Sequence, residues 1–267
     1  MYDPPGYLWA ITIAGATATP ALTCVVLYGG ATRAGLGRRH AALLAGGAAV
    51  VFGGWFTGSA VIAGHGWYRT LPWMPIAVVG FLGTLLALSR IPMVAGALAA
   101  PGMVSRLLYP HSFRVAGVAF LLTMALGHLP ALFALPAGLG DIAAGIAAPR
   151  LARRVAQGTG RRAALWFNAF GMTDLVVALT LGALTGFQLL NVTPSGEPIG
   201  ELPLALIPTA VVPLLLALHI TSVFALLRAS RTPQPATELP ATDPLVAGHV
   251  EVTPRDAVAE SPASRTR

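Results

Sequence analysis

With 267 residues, 55% of them hydrophobic and only 10% charged, and a mean hydropathy of +0.71, the chain is too apolar for a soluble domain and reads as an integral membrane protein. Its formal charge of +7 does not mark a nucleic-acid binder, because the arginines sit in short clusters between apolar runs, where membrane topology accounts for them. All 17 basic residues are Arg, so a retinal Schiff base, which needs a lysine, is excluded; the single cysteine, Cys24, cannot form an intrachain disulfide.

In chain order, the opening MYDPPGYLW has an acid and no basic residue ahead of the first apolar run, unlike a cleavable signal peptide. Runs of about 20 apolar residues, enough to cross about 30 Å of hydrocarbon, are read at 7–29, 40–63, 72–89, 113–127, 129–148, 163–187 and 202–227. The expected fold is therefore all-α: a polytopic bundle of seven transmembrane helices. Loops kept in the cytoplasm are enriched in Arg. One side of this segmentation holds Arg33, Arg38, Arg39, Arg90, Arg106, Arg114, Arg150, Arg153, Arg154, Arg161 and Arg162, and the other holds Arg69 with Asp3, Glu197 and Glu201. That asymmetry predicts the N-terminus outside and the C-terminus inside. Between the third and fourth runs, Pro92, Pro101 and Pro110 interrupt an apolar stretch, read as lying along the cytoplasmic interface; the alternative carries the third helix past Arg90 to about Ala99. After Arg228 the composition turns rich in Pro, Thr, Ala and Glu, and 229–267 reads as a disordered cytoplasmic tail.

The first three helices carry only hydroxyls at depth, Thr12, Thr17, Thr19, Thr23, Thr57 and Ser59, suited to bonding back onto helical carbonyls. The last four differ, with Asp141, Asn168, Asp174 and His219 in apolar sequence and His128 near a helix end. An Asp at the centre of a membrane helix costs about 2.5–3.5 kcal/mol on insertion scales, so two of them call for partners or protons. On helical spacing Asp141 shares its face with Ala134, Ala137, Gly138, Ala144, Gly145 and Ala148, and Asp174 with Gly171, Ala178 and Gly182. Small residues let helices approach closely, so both acids are expected to face the bundle. His219, midway along an apolar helix, needs a partner, with Asp174 or Asp141 the natural one. Asn168 lies roughly 120° around the helix from Asp174 and is expected to bond elsewhere. His128 falls where the fourth helix turns into the fifth, with Pro130 suited to open the new helix.

His128 and His219 lie at different estimated depths and no Cys-x-x-Cys-His motif is present, which argues against haem. The sequence has no His-Glu-x-x-His, P-loop or Gly-x-Ser-x-Gly motif. No cofactor and no metal site is expected.

The pairing of FALPAGLGD at 133–141 with WFNAFGMTDLV at 166–176, and the proline-bearing final helix ending in Leu218 and His219, resembles a group of uncharacterised bacterial multi-pass membrane proteins. The resemblance covers about 113–227. It implies the same multi-pass topology in a bacterial plasma membrane and brings no established activity. The leading expectation is transport or proton-coupled permeation of a small solute, with Asp141, Asp174, His219, His128 and Asn168 as site candidates and the lipid bilayer as surroundings. A non-catalytic membrane subunit or scaffold is the second expectation, and an intramembrane redox or enzyme subunit the third.

Overall fold

Prolines and glycines set the helix limits in the computed structural model, which describes residues 3–229; the tail read at 229–267 lies outside the described residues from 230 onward. Regular structure among the described residues is all helical: α1 (Gly6–Arg33), α2 (Arg38–Gly64), α3 (Trp73–Leu88), α4 (Pro92–Ala99), α5 (Met103–Leu108), α6 (Val118–Ala125), α7 (Ala131–Ala156), α8 (Arg161–Gly186) and α9 (Val212–Ala229). Tighter 3-10 turns occupy Trp67–Arg69, Tyr109–Gly117 and Glu197–Gly200, and a wider π turn Ile207–Val211. Six stretches are long and apolar enough to cross a membrane: α1, α2, Met103–Ala125, α7, α8 and Ile207–Arg228. The chain is a multi-pass helical membrane protein.

The third and fourth expected spans change most. α3 ends at Leu88 and the chain resumes as α4 after a bend of 83°. Pro92 causes it: the ring disfavours helical geometry in the preceding residue, and Ile91 is extended at φ −60°, ψ 129°. The fourth span begins at Met103, well before the expected 113, and runs through α5, the Tyr109–Gly117 turn and α6. Pro110 does not break it, because it stands in the first turn of the 3-10 stretch, where the N–H it lacks is not needed. As a result Arg114 lies inside a span rather than in a loop. The last span starts near Ile207 and not at 202, since residues 202–205 form turns.

Three of the α1 hydroxyls bond back along the helix as their spacing suggests, Thr17 Oγ1 to the Ile13 carbonyl at 2.7 Å, Thr19 to Gly15 at 2.9 Å and Thr23 to Thr19 at 2.8 Å, whereas the buried Thr12 Oγ1 has no hydrogen-bond partner among the described residues. The final span is the most buried of the six, at 67%, and α2 the least, at 11%, so α9 forms the centre of the bundle. It meets Phe81, Met103 and Leu107 through Leu214 and Leu218, and Ala16 and Leu175 through Leu215. Pro213 has no N–H for the Thr209 carbonyl four residues back, and the indole of Trp55 donates to that oxygen at 2.9 Å. Beside it a directed chain of hydroxyls ties α2 to the π turn. Thr209 Oγ1 donates to the Ala205 carbonyl at 2.6 Å, so it accepts from Ser59 Oγ at 2.5 Å, which accepts from Tyr68 at 3.1 Å. Burial pushes the Tyr68 hydroxyl above its ordinary value, which keeps it a donor.

Candidate functional site

Arg114 occupies the 3-10 turn near the middle of the Met103–Ala125 span, with a fully buried side chain. Its Nε donates to Asp141 Oδ1 of α7 at 2.7 Å, and its Nη2 donates to Asp174 Oδ2 of α8. One guanidinium thus ties three segments together near mid-span. The two carboxylates are nearly buried, with side chains 12% and 10% exposed. The close approach depends on glycines: a Cβ at Gly117 would collide with Asp141, and one at Gly140 with Asp174. The small residues that share a face with Asp141, Ala134, Ala137, Gly138, Ala144, Gly145 and Ala148, are all buried.

The electrostatics follow from chemistry. Arg keeps its proton in proteins, so with both acids ionised the triad carries one net negative charge inside a bilayer-spanning bundle. Each ion is expensive to desolvate, and the pairing offsets this for only one of the two carboxylates in charge terms. One added proton makes the cluster neutral.

His219 does not pair with an acid, contrary to the expectation from its place midway along an apolar helix. The guanidinium occupies both carboxylates, and His219 Nδ1 instead meets Asn168 Oδ1 at 2.9 Å. Asn168, buried on α8, donates through Nδ2 to the Ala164 carbonyl at 2.7 Å and to Ser222 Oγ at 3.1 Å. It bonds neighbours other than Asp174, and the neighbour that counts is His219. His128 lies in the exposed turn that follows α6, at a helix end and away from the mid-span depth of Arg114.

Sequence reading missed two members of this cluster. The sequence places Arg114 among the loop arginines, and His111, in the same stretch, carries no expectation. His111 is fully buried, its ring centroid 4.0 Å from that of His219 and its edge on Phe167 at 5.6 Å. The available signal was their spacing: three residues apart on a helix, His111 and Arg114 share a face, which shows once 103–125 is read as one span. Among the described residues, no three of His, Cys, Asp and Glu gather as metal ligands.

Asp141 also lines a cavity of about 30 Å³ with Phe120, Phe133, Leu175, Gly182 and Ile199. A second of about 10 Å³ shares Gly182 and Ile199 with it and reaches Arg69 and Glu197. The two cavities lie on either side of these shared residues, the second next to the Glu197–Gly200 turn.

Neither a curated protein nor a solved structure matches the chain. Residues 71–228 match a family model described as a domain of unknown function, DUF8737. That stretch contains Arg114, both acids, both buried histidines and Asn168, and leaves out α1 and α2. Since the match spans more than half of the sequence, the chain belongs to the DUF8737 family.

Proposed function

We propose that this protein carries protons across the membrane, coupled to the permeation of a small solute, through the cluster centred on Arg114. The observation that supports this reading is the unbalanced charge of the Arg114, Asp141 and Asp174 triad near mid-span: the site becomes neutral on binding one proton, and intramembrane acids of this kind mark ion pathways and proton relays. The cavity of about 30 Å³ beside Asp141 supports this reading by leaving room for a water-sized molecule against the carboxyl group. In this reading the bundle has seven spans, with α3 and α4 together forming the bent one, in a bacterial plasma membrane. The arginine distribution supports an N-terminus outside.

Proton flux into liposomes carrying a trapped pH-sensitive dye tests it. Asp141→Asn and Asp174→Asn each leave Arg114 with one carboxylate, a neutral cluster of nearly the same shape, but the amide cannot exchange the proton. Flux should fall to the protein-free leak while the thermal unfolding midpoint in detergent is kept. Undiminished flux in both variants would reject the carrier role. A second reading, a membrane subunit whose triad only locks helices, is favoured by the way one guanidinium ties three segments; it requires that wild-type liposomes show no flux at all.

A further inference from the structure

Beyond the triad lies a second set of buried polar atoms that the carrier role of the carboxylates does not use. Nη1 of Arg114, Nε2 of His219 and both ring nitrogens of His111 have no hydrogen-bond partner among the described residues, although His111, Arg114 and His219 are 0%, 3% and 0% exposed. Buried polar atoms are normally satisfied, and four unsatisfied ones in adjoining side chains call for an explanation. Two of them converge on one place. At the point where a Cβ of Gly171 would stand, Nε2 of His219 is in collision range and Nη1 of Arg114 is 3.2 Å away. Only a glycine at 171 leaves this space to them.

The hydrogen-bond network assigns the state of His219. The Ala164 carbonyl is purely an acceptor, so the Asn168 group that meets it at 2.7 Å is the NH2. The Asn168 oxygen therefore faces His219 Nδ1, and Nδ1 must hold the hydrogen. In neutral His219 the lone pair is then on Nε2, the nitrogen aimed at Gly171 beside the guanidinium.

We infer that His219 is a second proton-accepting site, which exchanges a single proton with the Asp141 and Asp174 pair across Arg114. In the exchange an O–H bond of one carboxylic acid breaks and an N–H bond forms at Nε2, leaving a carboxylate and an imidazolium; no electrons move and no co-reactant is consumed. The charge count allows it. With the proton on either carboxylate the cluster is neutral, and with the proton on His219 the imidazolium and guanidinium balance two carboxylates, again to zero. The cluster thus offers one proton two residences of equal net charge, on either side of Arg114.

Two elements bring named side chains against His219. The Tyr109–Gly117 turn presents His111 and Arg114, and α8 presents Asn168 and Phe167; Asp141 and Asp174 act through Arg114. Other faces of α9 meet Phe81, Leu82 and Leu85 of α3 and Met103 and Leu107 of α5, none of which titrates. A second added proton, on His111 or elsewhere, would leave the site positive, so the cluster takes only one.

This inference rests on the proton reading above, and its test separates the two. Full-length protein with 15N-labelled histidine in lipid nanodiscs is titrated between about pH 8 and 5, the range in which imidazole changes charge, and the His219 signal is identified by its loss in His219→Gln. The expected result is an imidazolium at His219 that grows as pH falls in the wild type and is absent in Asp141→Asn, where the cluster is already neutral. Asp174→Asn makes the same prediction and serves if the first variant folds poorly. A His219 that stays neutral throughout in the wild type overturns the inference, as does an imidazolium unaffected by either substitution. Liposome flux without any imidazolium would remove the second site and keep the transport reading. An imidazolium coupled to the acids in a protein without flux would keep the site and remove transport.

Discussion

Arg114 holds the centre of this molecule because it is the fixed charge against which two acids and two imidazoles are arranged. Replacing it with Gln leaves two buried carboxylates without a cation. Breaking a buried ion pair from one side costs about 3–5 kcal/mol, so the unfolding midpoint of Arg114→Gln in detergent should drop sharply. Adding Asp141→Asn and Asp174→Asn to that variant removes the uncompensated charges and should recover most of the loss; a triple variant as unstable as the single one would show that shape, and not charge, sets the cost. Gly171 makes a sterically separate point. Ala at this position would collide with the His219 ring, which Asn168 holds in place, at an expected cost of about 1–3 kcal/mol. Ala at Gly53, where nothing lies within 4 Å of the added carbon, should be neutral or mildly stabilising in the same thermal assay.

At the scale of the elements, the 3-10 stretch Tyr109–Gly117 determines which residues reach the site. It winds more tightly than an α-helix and carries Arg114 to Asp141 and His111 to the His219 ring. α7 packs closely along it through glycines: a Cβ at Gly138 would lie 3.2 Å from the Gly117 carbonyl oxygen, and one at Gly145 would lie 2.7 Å from the Val115 nitrogen. α9 is anchored differently, by side chains that replace backbone bonds lost at its prolines. Trp55→Phe keeps the stacking on Phe81, now at 4.6 Å, but leaves the Thr209 carbonyl without its indole donor. An unsatisfied buried acceptor costs about 1–3 kcal/mol, and that loss should appear as faster amide exchange in the 207–213 turn of Trp55→Phe. Exchange unchanged there would mean that the indole bond contributes nothing to the turn.

For the whole molecule, orientation is the testable quantity. Taking out Arg106 and Arg114, which lie within the Met103–Ala125 span, leaves nine arginines on one side against Arg69 on the other, so the bias survives the correction. Reporter fusions at Gly196 should report the outside and fusions at Gly158 the cytoplasm; one compartment for both would refute the seven-span topology. Gly196 adjoins the Glu197–Gly200 turn and Gly158 the link between α7 and α8, so both sites lie at the ends of spans.

Much of this architecture was legible in the chain because hydropathy and length are local properties: five of the six long apolar stretches, the end of α3 near Arg90, and the inward stripe of small residues around Asp141 follow from composition and spacing alone. The two acids, Asn168 and His219 stood out because polar groups are rare in lipid-soluble sequence. What local reading could not reach was pairing. A proline in the first turn of a helical stretch and a proline that ends a helix look alike in sequence, so Pro110 hid the span that carries His111 and Arg114. Nor could hydropathy tell the central α9 from the peripheral α2, since lipid and protein interior are equally apolar. Only the packing of α7, α8 and α9 around one 3-10 turn decided that Arg114 joins the two acids and that Asn168 holds His219. Those bonds join residues up to 60 positions apart, and contacts at that separation depend on how the helices pack, which no window of sequence contains.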